Sequence, residues 1–231
     1  MTLHVRIPQS IADYRGPRRP AWDARTPRDR ARATARASAS VAASVLSRSN
    51  RSERTAFEAA TLGPIAAADA VLQSCGEYRS WPVGWHVTAL PGELVFEERL
   101  PVGAVTVDAP APCSAVRIAK NIGVALATGN RVFLELPRTA PASVVDFFRG
   151  IADRLPDEVL TVRLRSAAPI STSTFGVVLD EPDFFDETPP DELPEWLGLL
   201  TDRYLERSTI RVPIGTEERR MHGAMTADLF R

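Results

Sequence analysis

Two side chains in this sequence combine a reactive type with a suggestive position: Asp108 and Cys113, in the run Asp108-Ala-Pro-Ala-Pro-Cys113-Ser114. A thiol just ahead of a helix start has a depressed pKa and can serve as nucleophile or ligand. Its alternative is the ordinary one for a free cysteine, a small apolar filler. The second cysteine, Cys75, makes no CxxC spacing with it, so neither a redox dithiol nor a zinc site is indicated. His4, His86 and His222 are scattered and share no ligand spacing. A Ser/His/Asp triad assembles on paper from Ser114, His86 and Asp108, but no G-x-S-x-G elbow supports it. The acidic run Asp180 to Asp191 has oxygens for a hard cation without EF-hand spacing; a solvated loop, or a partner for the basic N-terminal segment, suits it better. No G-x-G-x-x-G or G-K-[ST] phosphate loop is present, and Gly103, Gly123 and Gly129 are too far apart to replace one.

The elements that must position Asp108 and Cys113 fall within Val102 to Pro137. Val102 to Val107 is a β-branched apolar run of strand length. Pro110 and Pro112 interrupt it. From Ser114, the apolar residues Val116, Ile118, Ile122, Val124, Ala125 and Leu126 recur near helical spacing, and Gly129-Asn130 is a helix stop. Val132-Phe133-Leu134 is a second strand. The segment therefore reads as a βαβ unit with a right-handed crossover and parallel strands.

Around it, Thr26-Pro27-Arg28-Asp29 is a helix start with Thr as N-cap, running to about Ser49. Further helices are expected over Ser52 to Leu62, stopped by Gly63-Pro64, and over Ile65 to Tyr78. Trp85 to Leu90 and Glu93 to Leu100, split by Pro91-Gly92, form a hairpin with one face wetter than the other, Leu94, Phe96 and Arg99 against Val95 and Glu97. An amphipathic helix over Ala142 to Leu155 follows the βαβ unit, then strands at Leu160 to Leu164 and Phe175 to Leu179. A helix opening at Pro194 toward Leu205, a last strand at Thr209 to Ile214 and a terminal helix at Glu217 to Phe230 complete the chain. Leu3, Val5 and Ile7 alternate like a short edge strand.

The 231 residues are 44% hydrophobic and 25% charged, an ordinary globular composition. No run of eighteen apolar residues occurs, and Met1 to Ile7 lacks the basic-then-apolar order of a signal peptide, so a cytoplasmic protein is expected. The net charge of −1 hides an uneven split: residues 1–54 hold twelve arginines and four acids, for +8, and the remainder carries −9. With few aromatics to stack bases, this basic segment suits packing on acidic protein surface better than nucleic acid.

The chain resembles the N-terminal, cofactor-binding portion of the aldehyde dehydrogenase superfamily over roughly residues 20–165. Pro101-Val102-Gly103-Ala104-Val105 opens like the family's P-V-G-V-V-G, and Ala125-Leu-Ala-Thr-Gly-Asn130 matches its A-L-A-A-G-N at the expected distance. Trp22 before Thr26-Pro27-Arg28-Asp29-Arg30 is similar to the family's A-W-x-x-x-x-P-x-x-R. The hairpin sits where the family places its oligomerisation strands. The resemblance puts the family's oxyanion-hole asparagine at Pro112, which has no side-chain donor and no N–H. It puts the ribose-holding lysine at Glu135, an acid that disfavours a 2′-phosphate. The G-S-x-x-x-G turn, the E-L-G-G-K segment and the G-Q-x-C nucleophile segment are missing.

These readings imply an α/β fold: a Rossmann-like small parallel sheet flanked by helices, with an N-terminal helical layer and a protruding antiparallel hairpin. Residues 1–24 are expected as an extended arm, 25–179 as the main domain with hairpin 85–100, and 180–231 as its completion. The function implied is that of a truncated, non-oxidising auxiliary or assembly subunit. It would self-associate, or join a larger partner of the same type, through hairpin 85–100 and strand 209–214. Two alternatives stand beside it: non-redox cyclisation or isomerisation of an apolar small molecule in the old cleft, or an NAD(P)-dependent half completed by another chain. Cys113 and Asp108 are the candidate catalytic residues, no metal site or membrane contact is indicated, and no cofactor is expected, with NAD(P) the one the resemblance would supply.

Overall fold

The computed structural model describes residues 22, 24–48, 56–111, 114–165, 175–179, 197 and 199–213. Two long helices come first, α1 (Pro27–Arg48) and α2 (Ala56–Glu77). Thr26 starts α1 as its sequence suggests: its Oγ1 accepts the Asp29 N–H at 3.2 Å and donates to Asp29 Oδ2 at 2.7 Å. That hydroxyl also holds the Asp29 carboxyl below the usual carboxylate range.

The two helices expected over 52–62 and 65–78 are one, with Pro64 inside it. Gly63 and Pro64 are exposed, whereas Ile65, Ala68, Val71, Leu72 and Cys75 are buried to 1% exposure or less. The proline removes one backbone hydrogen bond on the solvent side. The apolar stripe packs on α1 and on the next helix, and that burial carries the helix through its local stop signal. Close approach of α1 and α2 uses small residues: a Cβ on Gly76 would lie 2.9 Å from that of Ala35.

Next come a hairpin, β1 (Gly84–Leu90) and β2 (Glu93–Pro101), and the βαβ unit, β3 (Ala104–Asp108), α3 (Ala115–Thr128) and β4 (Arg131–Leu136). Helix α4 (Ala142–Ala152) leads to β5 (Leu160–Leu164), and β6 (Phe175–Val178) completes a parallel sheet in the order β5-β4-β3-β6. Residues paired in register point the same way, so Val105, Val107, Val132, Leu134 and Leu160 share one face. All are at most 5% exposed and form the core with α3 and α4, on which α1 and α2 are layered.

After a 3₁₀ turn (Asp202–Tyr204), β7 (Leu205–Pro213) pairs antiparallel with β2, giving a second sheet in the order β1-β2-β7. Strand β7 therefore starts four residues earlier than expected, and the turn replaces the end of the anticipated helix. Leu197, Leu200 and Tyr204 are anchored in the core, and Tyr204 donates to Asn121 Oδ1 of α3, which fixes where the strand must begin. Of the arm expected over 1–24, residues 1–21 and 23 lie outside the described residues, as do the strand at Leu3 to Ile7, the acidic run 180–191 and the terminal helix, while Trp22 is buried in the core at 1% exposure.

Candidate functional site

In an open, mostly parallel sheet the natural site is the crevice outside the carboxyl ends of the strands, where the strand order reverses. Here β3, β4 and β5 are laid down in one direction and β6 returns to the other side of β3, so the reversal falls between β3 and β6. Asp108 ends β3 at that point, and its register neighbours Val178, Glu135 and Arg163 complete the row across the sheet. Asp108, expected to open the loop after Val107, is instead the last residue of β3. Cys113 and Pro112 lie outside the described residues.

The structure joins Asp108 to a residue that was not among the expected site residues. Arg165, just past β5, reaches across the end of β4 and forms an ion pair with Asp108 Oδ1. The two strands flank β4 and so stand about 10 Å apart, a gap that a long guanidinium side chain bridges. Asp108, with Glu135 beside it, raises the Arg165 pKa above its ordinary value, chiefly through the side-chain hydrogen bond. Arg165 N–H donates to Leu136 O at 2.6 Å, and Arg138 Nε donates to Arg165 O at 3.3 Å, so the residue is held by its backbone too. The signal available in sequence was the pair Arg163 and Arg165 at the carboxyl end of the apolar run Leu160 to Leu164.

Other expected partners do not meet at this edge. Ser114 Oγ accepts the Arg117 N–H at 3.1 Å as the N-cap of α3, while His86 sits on β1 of the other sheet opposite Glu97. The paper triad is therefore not assembled. Arg117 is buried at 8% exposure, and its Nη1 donates to Leu179 O at 3.1 Å, tying the start of α3 to the end of β6. Among the described residues no group of three or more His, Cys, Asp and Glu is placed to hold a metal ion.

A dinucleotide is the group this architecture would normally hold, through close backbone N–H groups on the pyrophosphate. The residues present do not fit it. The Ala109 N–H is already given to Glu135 O at 3.0 Å, and Pro110 has none to give. Glu135 puts a carboxylate where the resemblance asks for lysine, and Arg165 is engaged by Asp108.

The three-stranded sheet offers a different kind of site. Directly paired residues share a face. One face carries the row Trp85-Glu98-Ser208, then the apolar rows Val87-Phe96-Ile210 and Ala89-Leu94-Val212. Trp85, Val87 and Ile210 are 41%, 59% and 38% exposed. The other face carries Glu93, Glu97, Arg99, Arg207 and Arg211, linked by ion pairs: Arg99 to Glu97, Arg207 Nε to Glu97 Oε1 at 3.5 Å, and Arg211 Nη1 to Glu93 Oε1 at 3.2 Å. Arg99 therefore belongs with Val95 and Glu97 and not with Leu94 and Phe96 as the hairpin reading had it; strand period two settles the parity. A depression of about 170 Å³ lined by Arg99, Asp202, Leu205 and Arg207 lies at its base, below the ~300 Å³ of small-molecule pockets.

No family model and no curated protein matches the sequence. Solved structures do resemble the fold. Apo indole-3-acetaldehyde dehydrogenase superposes with a TM-score of 0.50 and 23% identity, over 63% of this chain and 34% of that one. The P. syringae AldA indole-3-acetaldehyde dehydrogenase C302A mutant with NAD+ and IAA gives 0.48 and 24%, over 63% and 30%. Staphylococcus aureus betaine aldehyde dehydrogenase with NAD+ gives 0.49 and 15%, over 64% and 30%. Over the matched 63% of this chain the fold resembles that of part of an aldehyde dehydrogenase, and the match spans about a third of that protein's length.

Proposed function

We propose that this chain is a non-oxidising auxiliary or assembly subunit on an aldehyde-dehydrogenase-type scaffold. The observation that carries the reading is the carboxyl edge of the parallel sheet, where Arg165 is committed to Asp108 and Glu135 stands alongside. Phosphate recognition needs free donors at that edge, and the loop leaving β3 supplies few. Pro112 adds no donor for a developing oxyanion. The sheet β1-β2-β7 supports the other half of the reading, since it presents an apolar face and an ion-paired face away from the core. Self-association, or union with a larger partner of the same fold, would proceed through hairpin 85–100 and strand 209–214.

The test is a titration with NAD and with NADP, followed by the fluorescence of the four tryptophans. No saturable change is expected with either. Saturable binding of one nucleotide overturns the reading and puts in its place a cofactor-binding half completed by another chain.

A further inference from the structure

The strand order β1-β2-β7 leaves the outer edge of β1 unpaired among the described residues. Every residue from Trp85 to Leu90 is exposed. The strand Gly84-Trp-His-Val-Thr-Ala-Leu90 contains no Lys, Arg, Asp, Glu or Pro, and its register with β2 runs unbroken from Gly84 opposite Arg99 to Leu90 opposite Glu93, without a bulge. Edge strands of stable proteins are normally blunted by a charge, a proline, a bulge or a covering element. The opposite edge, β7, follows that rule with exposed Glu206, Arg207 and Arg211. Among the described residues, strand β1 has none of these devices.

We propose that β1 pairs antiparallel with β1 of a second copy, about a two-fold axis through Val87, to give a six-stranded sheet. This deepens the assembly reading above and rests on it. An antiparallel edge is its own complement under a two-fold, which is the requirement of an isologous interface. Centring on Val87 uses all seven residues and sets Val87 opposite itself, Trp85 opposite Ala89, His86 opposite Thr88 and Gly84 opposite Leu90. No like charges face each other. Because opposed residues share a face, the row Ile210-Phe96-Val87 continues into the same row of the second copy, and the apolar patch becomes one band across both chains. A slip of one residue would turn the second copy's apolar face to the opposite side and break the band, so the register is specified. A strand of other origin would meet an edge with no charge to select it.

The contact is narrow for an obligate interface, so the dimer should dissociate on dilution. The experiment is sedimentation equilibrium on the full chain, its Val87→Lys variant, and a Val87→Cys variant made in a Cys113→Ser background. Val87 is 59% exposed, so neither substitution disturbs the core. The expected result is a concentration-dependent dimer whose dissociation constant rises at least about tenfold in V87K, where two like charges meet at the axis, with the melting temperature kept. V87C should form an intermolecular disulfide, because opposed Cα atoms in antiparallel pairs lie about 4.5–5.5 Å apart, within disulfide reach. A wild-type chain that stays monomeric at high micromolar concentration overturns the proposal. So does a dimer that V87K leaves intact and V87C does not cross-link. Concentration-independent protection of the Gly84–Leu90 amides from hydrogen exchange also overturns it, since a segment of the same chain, such as Leu3 to Ile7, would then cover the edge. None of these results bears on the nucleotide titration, so the two readings fail separately.

Discussion

Asn130→Ala should loosen the joint between the two sheets. Asn130 is fully buried. Its Oδ1 accepts the Gly103 N–H at 2.9 Å, just before β3, and its Nδ2 donates to Tyr204 O at 3.0 Å, just before β7. The same nitrogen reaches Thr128 Oγ1 at 2.9 Å and Ala125 O at 3.3 Å at the end of α3. One side chain therefore holds the start of β3, the end of α3 and the start of β7 together. Alanine strips the Gly103 N–H of this partner, at about 1–3 kcal/mol, and removes two well-formed bonds to buried acceptors at about 0.5–1.5 kcal/mol each. Tyr204 O keeps the Val102 N–H at 3.3 Å, which trims the loss. The expected destabilisation is about 2–4 kcal/mol, read as a lower urea midpoint with an unchanged slope. Hydrogen exchange should accelerate first at Leu205 to Arg207, because that end of β7 loses its tether. Asn130→Asp should be no better than alanine, since it sets a carboxylate against the carbonyls of Tyr204 and Ala125. A loss below about 0.5 kcal/mol, with exchange at β7 unchanged, would refute this account of the joint.

Gly123 of α3 lies against α2, where an added Cβ would sit 2.9 Å from Cys75 Sγ and 3.1 Å from Leu72 Cδ2. Gly123→Ala should therefore cost about 1–3 kcal/mol by overpacking, measured by urea denaturation. Gly129 closes α3 at φ +103 with Arg30 Nη2 3.1 Å from its would-be Cβ. Gly129→Ala should lower the melting temperature through backbone strain and by displacing Arg30, whose Nε caps α3 at Ala127 O (2.9 Å); an unchanged melting point would contradict both. Burial pushes the Cys75 thiol up to about 12. In a Cys113→Ser background Cys75 should resist alkylation in the native chain and react once urea unfolds it. The sign for stability follows: folded Cys75 binds its proton more tightly than the unfolded thiol near 9, so its contribution is intact below 9 and is lost between 9 and 12 in an alkaline denaturation series.

Much of the fold was legible because its signals are local and repeated. The βαβ unit shows itself through β-branched runs around a helical stripe, and Ser114 and Gly129 punctuate α3 as their residue types require. The same local rules misread Gly63-Pro64, because a stop signal says nothing about the buried stripe on the far side of the helix. They also missed the start of β7, which is set by Tyr204 docking on Asn121, 83 residues away in the chain.

The candidate site divides in the same way. Residue types and order alone put Asp108 just after the strand Val102 to Val107 and Glu135 just after the strand Val132 to Leu134. That Asp108 is held by Arg165, 57 residues further on, depends on β5 being laid down two strands away with its carboxyl end level with that of β3. Likewise, the uncharged run Gly84 to Leu90 is plain in the sequence, but only strand order makes it an edge, with β7 taking the other side of β2. Sequence determined which groups were available. Tertiary structure decided which of them face each other, because ion pairing and edge exposure are properties of neighbours that the chain brings together from far apart.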